Sequence, residues 1–186
     1  MGNAIAAEFK LIHERAFLML ELYKQTVASQ FEAALAMLKQ CVTACPSEYW
    51  EGKIANDTFR YVAYHTLFFA EFYLSTSDAE FKLHHFHDRG GDERGKQASP
   101  GLSQPDTLEY ARLVHQKLRD ALAAETVQSL AGPSGIARRK CSRAELHIYN
   151  LRHVQHHTGA MYAYLRRIEP TLADNQSLPW VSSGWR

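Results

Sequence analysis

His153 and His157 stand one helical turn apart in the run His153-Val154-Gln155-His156-His157, and their spacing is the strongest chemical signal in the chain. At about 100° per residue, an i, i+4 pair projects both imidazoles from one side of a helix. Two neutral imidazoles so placed can share one divalent cation, since imidazole is the commonest metal ligand near neutral pH. Leu146, Tyr149, Ala160 and Tyr164 fall within about 40° of His153 on the same wheel, so the pair lies on an apolar stripe that should face a core. The plainer reading is a pair of core histidines satisfied by hydrogen bonds.

A third ligand must come from another helix, and His65 is the candidate. It sits among Tyr61, Val62, Phe69 and Phe72 on an aromatic inward face. An unpartnered imidazole there costs about 1–3 kcal/mol, which a metal or a hydrogen bond to a tyrosine would remove. Three histidines from two helices leave coordination positions open for water or substrate. The pair is HxxxH without the glutamate of HExxH, so the base expected, if there is one, is a metal-bound hydroxide and not a side chain. His156, at the edge of the stripe, is placed to hydrogen-bond beside the site, and Tyr149 or Arg152 could orient substrate. His84, His85 and His87 cluster in a loop and read as a lid. His13, His115 and His147 have no partner at ligand spacing and belong to the surface or to ordinary packing. No GxSxG elbow or phosphate-cradling glycine loop is present.

These residues need helices to position them, and helix signals dominate. From Asn3 to Ala44 there is no proline or glycine, with apolar residues at three- and four-residue steps. Ser29 followed by Glu32 resembles a capping box. It predicts a break there, separating an N-terminal helix (1–28) packed on the rest from a helix ending at Cys45-Pro46. A further helix is expected from about Asp57, its cap, to Ser75. A long polar loop with Gly90-Gly91 and Pro100-Gly101 follows, then a helix opened by Asp106 and Glu109 and running to about Thr126. Ser142 with Glu145 opens the last helix, which Pro170 stops. The fold class is therefore all-α: a four-helix bundle over 29–170, an extra N-terminal helix, a long loop between the second and third bundle helices, and an irregular tail over 171–186.

Bulk properties exclude other classes. Lys and Arg (21) balance Asp and Glu (20) in 186 residues, and a net charge of +1 gives no footprint for nucleic acid or anionic membrane. Arg138-Arg139-Lys140 is short and reads as a solvated loop. The most apolar stretch, Tyr61 to Leu74, is too short to span a bilayer. Cys41, Cys45 and Cys141 form no paired framework, so reduced thiols in a cytoplasmic setting are expected.

Two segments carry a family resemblance. Phe59-Arg60-Tyr61-Val62-Ala63-Tyr64-His65-Thr66-Leu67-Phe68-Phe69, preceded by Trp50, and Glu145 through Gly159, ending His153-Val154-Gln155-His156-His157-Thr158-Gly159, resemble the second-helix and final-helix motifs of the DinB-like superfamily. That superfamily of four-helix bundles includes YfiT-type hydrolases and thiol-dependent S-transferases. The resemblance spans Ser29 to Arg167 and leaves the N-terminal helix and the tail outside it. Ala160 stands where a glutamine is often seen. The resemblance implies that His65, His153 and His157 hold nickel, zinc or iron, that the chain forms a homodimer, and that a low-molecular-weight thiol is delivered as a thiolate to a small-molecule substrate. The function expected is a metal-dependent S-transferase or hydrolase. The alternatives are a non-catalytic metal- or ligand-binding bundle with a sensing or stress-related role, and an interaction module whose histidines are core residues.

Overall fold

The computed structural model describes residues 2–83, 85–87, 101–172 and 178–185. The described chain is all-α apart from one short hairpin. Helix α1 is Gly2–Ala44, a single rod of 43 residues. The break expected at Ser29 is absent, so 1–28 is not a separate helix packed on the others. Ser29 and Glu32 lie inside the rod, because Glu32 is engaged elsewhere: its carboxylate meets His115 at 3.0 Å and Arg119 at 2.8 Å. With no proline or glycine to interrupt them, the backbone hydrogen bonds continue through the position.

After a 3-10 turn at Ser47–Tyr49, strands β1 (Lys53–Ile54) and β2 (Asp57–Thr58) pair antiparallel, Lys53 facing Thr58 and Ile54 facing Asp57. Only a glycine suits position 52, since a Cβ there would run into the Tyr164 hydroxyl. Helix α2 is Phe59–Leu74, and its cap is Thr58 rather than Asp57: the Thr58 hydroxyl accepts from the Tyr61 amide at 3.1 Å. The long connection follows, and its described parts dock on α2. Helix α3 is Gln104–Ala124, opened by a reciprocal box between Ser103 and Asp106. Asp106 is therefore the third helical residue, not the cap, and Glu109 pairs instead with Arg112. A short α4 (Val127–Ala131), unanticipated in the sequence, precedes α5 (Arg143–Ile168), where Ser142 caps the Glu145 amide as expected.

Helix α5 packs on α1 and α2, and α3 packs on the same two from the other side. Each long helix thus has two neighbours, around a core that includes Phe31, Leu35, Leu38, Leu67, Leu118, Met161 and Leu165. The described tail residues 178–185 fold back on this body. Leu178 and Val181 are buried, and Trp185 stacks on His115 at 4.4 Å.

Arg143 joins the end of α2 to the start of α5. Its guanidinium donates to the carbonyls of Tyr73, Leu74 and Ser75 at 3.1, 2.9 and 2.7 Å, orphan acceptors at the C-terminus of α2. The same group meets Glu125 at 2.8 Å, and His147 bonds that carboxylate at 2.9 Å. Burial alone would raise the Glu125 pKa, but hydrogen bonds from His147, Ser129 and Arg143, with the Arg143 charge, hold it at about 2. Gly135, at φ 82°, lets the loop before α5 press against the Thr76 backbone where a Cβ would not fit. Replacing Arg143 with Met should destabilise the fold by about 3–5 kcal/mol in denaturant titration, because it leaves the Glu125 charge and three carbonyls buried without their partner.

Candidate metal centre

The α2 and α5 helices run antiparallel, and three contacts set their register. Arg143 binds the end of α2, the Asn150 side-chain amide donates to the Ala70 carbonyl at 2.9 Å, and Tyr164 meets Phe59 at the far end with ring centroids 6.0 Å apart. Between Asn150 and Tyr164 lie His153 and His157, and between Ala70 and Phe59 lies His65. The register therefore brings the three imidazoles together. Their ring centroids are 5.4 Å apart for His65–His153, 4.9 Å for His65–His157 and 4.6 Å for His153–His157. One nitrogen from each ring lies within 4.8 Å of the other two. A tetrahedral zinc with bonds of about 2.0–2.1 Å needs nitrogens about 3.3 Å apart, so a modest rotation of the rings closes the set.

The surroundings favour neutral rings. Burial lowers the pKa of His65. Burial first, then the neighbouring His157, His65 and His156 and the Arg139 charge, bring His153 down to about 3. His157 falls to about 4 through burial and the adjacent His65 and His156, with Asp57 opposing. Near neutral pH these lone pairs are available to a cation. The Nδ1 atom of His153 is buried with no hydrogen-bond partner, and such an orphan is costly unless a ligand satisfies it. The tyrosine alternative for His65 takes a different form: Tyr61 packs on the ring with centroids 5.9 Å apart, and Phe69 covers it at 4.7 Å. All three histidines are partly exposed, so the cluster opens toward solvent.

The other sequence candidates separate. His156 is exposed, with its ring 5.0 Å from His157, beside the trio and outside it. Arg152 is exposed on the same helix. Tyr149 lies against Tyr73 at 5.5 Å, and Tyr73 meets the His153 ring at 6.1 Å. Of the three loop histidines, His84 lies outside the described residues. His85 is exposed, its ring 4.0 Å from that of Phe86 and tilted by 43°. His87 is buried, bonded to the Tyr110 hydroxyl at 2.8 Å and 3.2 Å from the Glu71 carboxylate. Its neighbours Tyr64, Phe68 and Glu71 lie roughly 60–120° around α2 from His65. His87 thus anchors the loop on the α2–α3 side and does not cover the trio. His115 and His147 are packing residues paired with carboxylates, as expected.

Two residues near the trio escaped the sequence reading. Asp57, taken for a cap, is carried by β2 to where its charge acts on His157. Arg139, read as part of a solvated basic loop, is clamped by two tyrosines. Its guanidinium lies 4.4 Å from the Tyr149 ring centroid and 5.1 Å from that of Tyr73, and it donates to the Tyr73 hydroxyl at 2.6 Å. Its Nε has no hydrogen-bond partner. Arg139 and Tyr149 are ten residues apart, a separation carrying no periodic signal, so only their meeting in space identifies the clamp. The chain matches no protein-family model, no curated protein and no solved structure.

The depressed histidine pKa values set a pH response. The unfolded chain takes up protons near pH 6.5, whereas folded His153 and His157 resist them to about 3 and about 4. Stability of the metal-free protein therefore falls as pH drops below 6.5. His153→Leu should keep a larger share of its neutral-pH stability at about pH 5 than the parent does, as measured by denaturant unfolding after chelation.

Proposed function

We propose that the protein is a mononuclear metal-dependent S-transferase or hydrolase with His65, His153 and His157 as ligands. The observation that carries this reading is the meeting of three neutral imidazoles, one of which, His153, keeps a buried Nδ1 without a hydrogen-bond partner. The donor set fits nickel, zinc or iron, for which imidazole is a suitable ligand, and contains no thiolate or carboxylate. The closed ring of α1, α5, α2 and α3 is the arrangement of a four-helix bundle, which supports the DinB-like reading of the sequence.

Bound there, a divalent ion would lower the pKa of a coordinated thiol or water, giving a nucleophile near neutral pH. The chain's own residues supply the rest. His65 and the α5 pair would hold the ion from two helices, in a cluster whose rings are partly exposed. Phe69 and Tyr73 wall the inner side and exclude water from the ligand rings. Arg139, held over the Tyr149 ring, has one donor, Nε, without a partner, one tyrosine ring away from His153, and a depression of about 560 Å³ lies beside it between Pro133 and Cys141. A small substrate or thiol carrying a carboxylate suits that arrangement, since guanidinium groups pair with carboxylates in a planar fork.

Protein purified without a histidine tag should contain about one metal ion per chain by elemental analysis. His153→Ala with His157→Ala should abolish it while circular dichroism stays helical. A metal-free parent, or a double variant that keeps its metal, sinks the reading. In the cobalt-loaded protein, added thiol should produce a sulfur-to-cobalt charge-transfer band. Its absence would leave the non-catalytic, metal-binding alternative. Arg139→Gln should weaken binding of 3-mercaptopropionate roughly tenfold in the same titration, the loss of about one charged hydrogen bond, and leave 2-mercaptoethanol unaffected.

A further inference from the structure

Most of the described apolar side chains in the first half of α1 are exposed. Among its described side chains burial begins at Val27, and Tyr23 and Lys24 bond the carbonyls of Ala144 and Ala123. Before them, Leu11, Ile12, Phe17, Leu18, Met19 and Leu22 are 47–65% exposed. At 1.5 Å per residue the projecting segment is about 30 Å long. A helix of that length is marginal in water unless its apolar face is covered, and exposed apolar residues this numerous mark an interaction face.

Leu11, Ile12, Leu18, Met19 and Leu22 fall within a stripe of about 120°. Glu8 and Arg15 lie inside the same stripe, seven residues apart, of opposite charge and both exposed. The ion pair Lys10–Glu14 occupies a different side of the helix. The stripe is therefore apolar with one acid and one base at fixed separation. A parallel pairing in register would set Arg15 against Arg15 and Glu8 against Glu8. An antiparallel pairing about a two-fold axis between residues 11 and 12 sets Glu8 against the partner's Arg15 twice, because 8 and 15 are equally far from that axis. Leu11 then meets the partner's Ile12. Glu8, Leu11, Ile12 and Arg15 thus satisfy one another under a two-fold, the signature of an isologous dimer contact.

A membrane surface fits less well. Three acids (Glu8, Glu14, Glu21) against two bases (Lys10, Arg15) give the segment no cationic face for anionic lipid. The segment also lies outside the stretch that resembles the DinB-like superfamily, and its contact is independent of whether the histidines hold metal.

We propose that the projecting half of α1 is a self-association surface, on which two copies of this chain pair antiparallel with Glu8 and Arg15 as the reciprocal charge pair. Sedimentation equilibrium of the full chain should give twice the 21.2 kDa chain mass. Glu8→Arg and Arg15→Glu should each raise the dimer dissociation constant at least tenfold, with helix content unchanged by circular dichroism. An equimolar mixture of the two variants should restore a mixed dimer, as should the doubly swapped chain, because both recreate the acid–base pairs. A monomeric parent overturns the proposal, as do single variants that dimerise like the parent. Failure of the mixture and the double swap to recover overturns the antiparallel register. A parent that stays monomeric but co-sediments with phosphatidylcholine–phosphatidylglycerol vesicles also overturns it, in favour of a lipid surface.

Discussion

The register between α2 and α5 is the constraint on which the site depends. An imidazole on one helix reaches a pair on another only if the two helices neither slide nor rotate by half a turn, about 3 Å along the axis. Greasy packing resists such a slip weakly, because one apolar side chain can replace another at modest cost. Directional bonds resist it more strongly. Arg143 seizes the three carbonyls at the end of α2, and Asn150, almost fully buried, donates to the Ala70 carbonyl halfway along. A one-residue slip would leave these buried donors and acceptors unpaired, so the position of the trio is coupled to global stability.

Most buried charge in the described structure is balanced in place. Glu125 is held by Arg143, His147 and Ser129, and Glu71 by Tyr110 and Lys117. The trio is different. Its rings crowd one another and lose hydration, with no carboxylate bonded to them among the described residues, and the result is neutral imidazole. A cluster satisfied within itself would be structural. Here a polar atom, His153 Nδ1, is left without a partner. That imbalance separates the trio from the chain's other buried histidines and motivates the metal reading.

The helical character and most of the helix ends were legible because they are local. Ser142 caps α5 as its spacing says, and Pro170 follows its end. Local signals misled where a side chain had a distant partner. Ser29 and Glu32 have the composition of a capping box, yet Glu32 is drawn to His115 and Arg119 on α3, more than eighty residues away, and the helix runs on. Asp57 and Asp106 are each displaced from the cap position by a better-placed hydroxyl, on Thr58 and Ser103. His87 looked like part of a mobile lid, but the buried Tyr110–Glu71 pair captures it on the α2–α3 side.

The histidine pair itself was decided by sequence alone, because i, i+4 spacing on a helix permits only one relative placement of the two rings. His65 could be nominated as an inward polar group in an aromatic face, but nothing local says which helix it meets. The α2–α5 register decided that, through bonds between residues about eighty positions apart. Tertiary structure also brought Arg139 and Tyr149 together and left the apolar side chains between Leu11 and Leu22 exposed. These facts depend on which surfaces the packed core leaves free, and no short-range pattern encodes them.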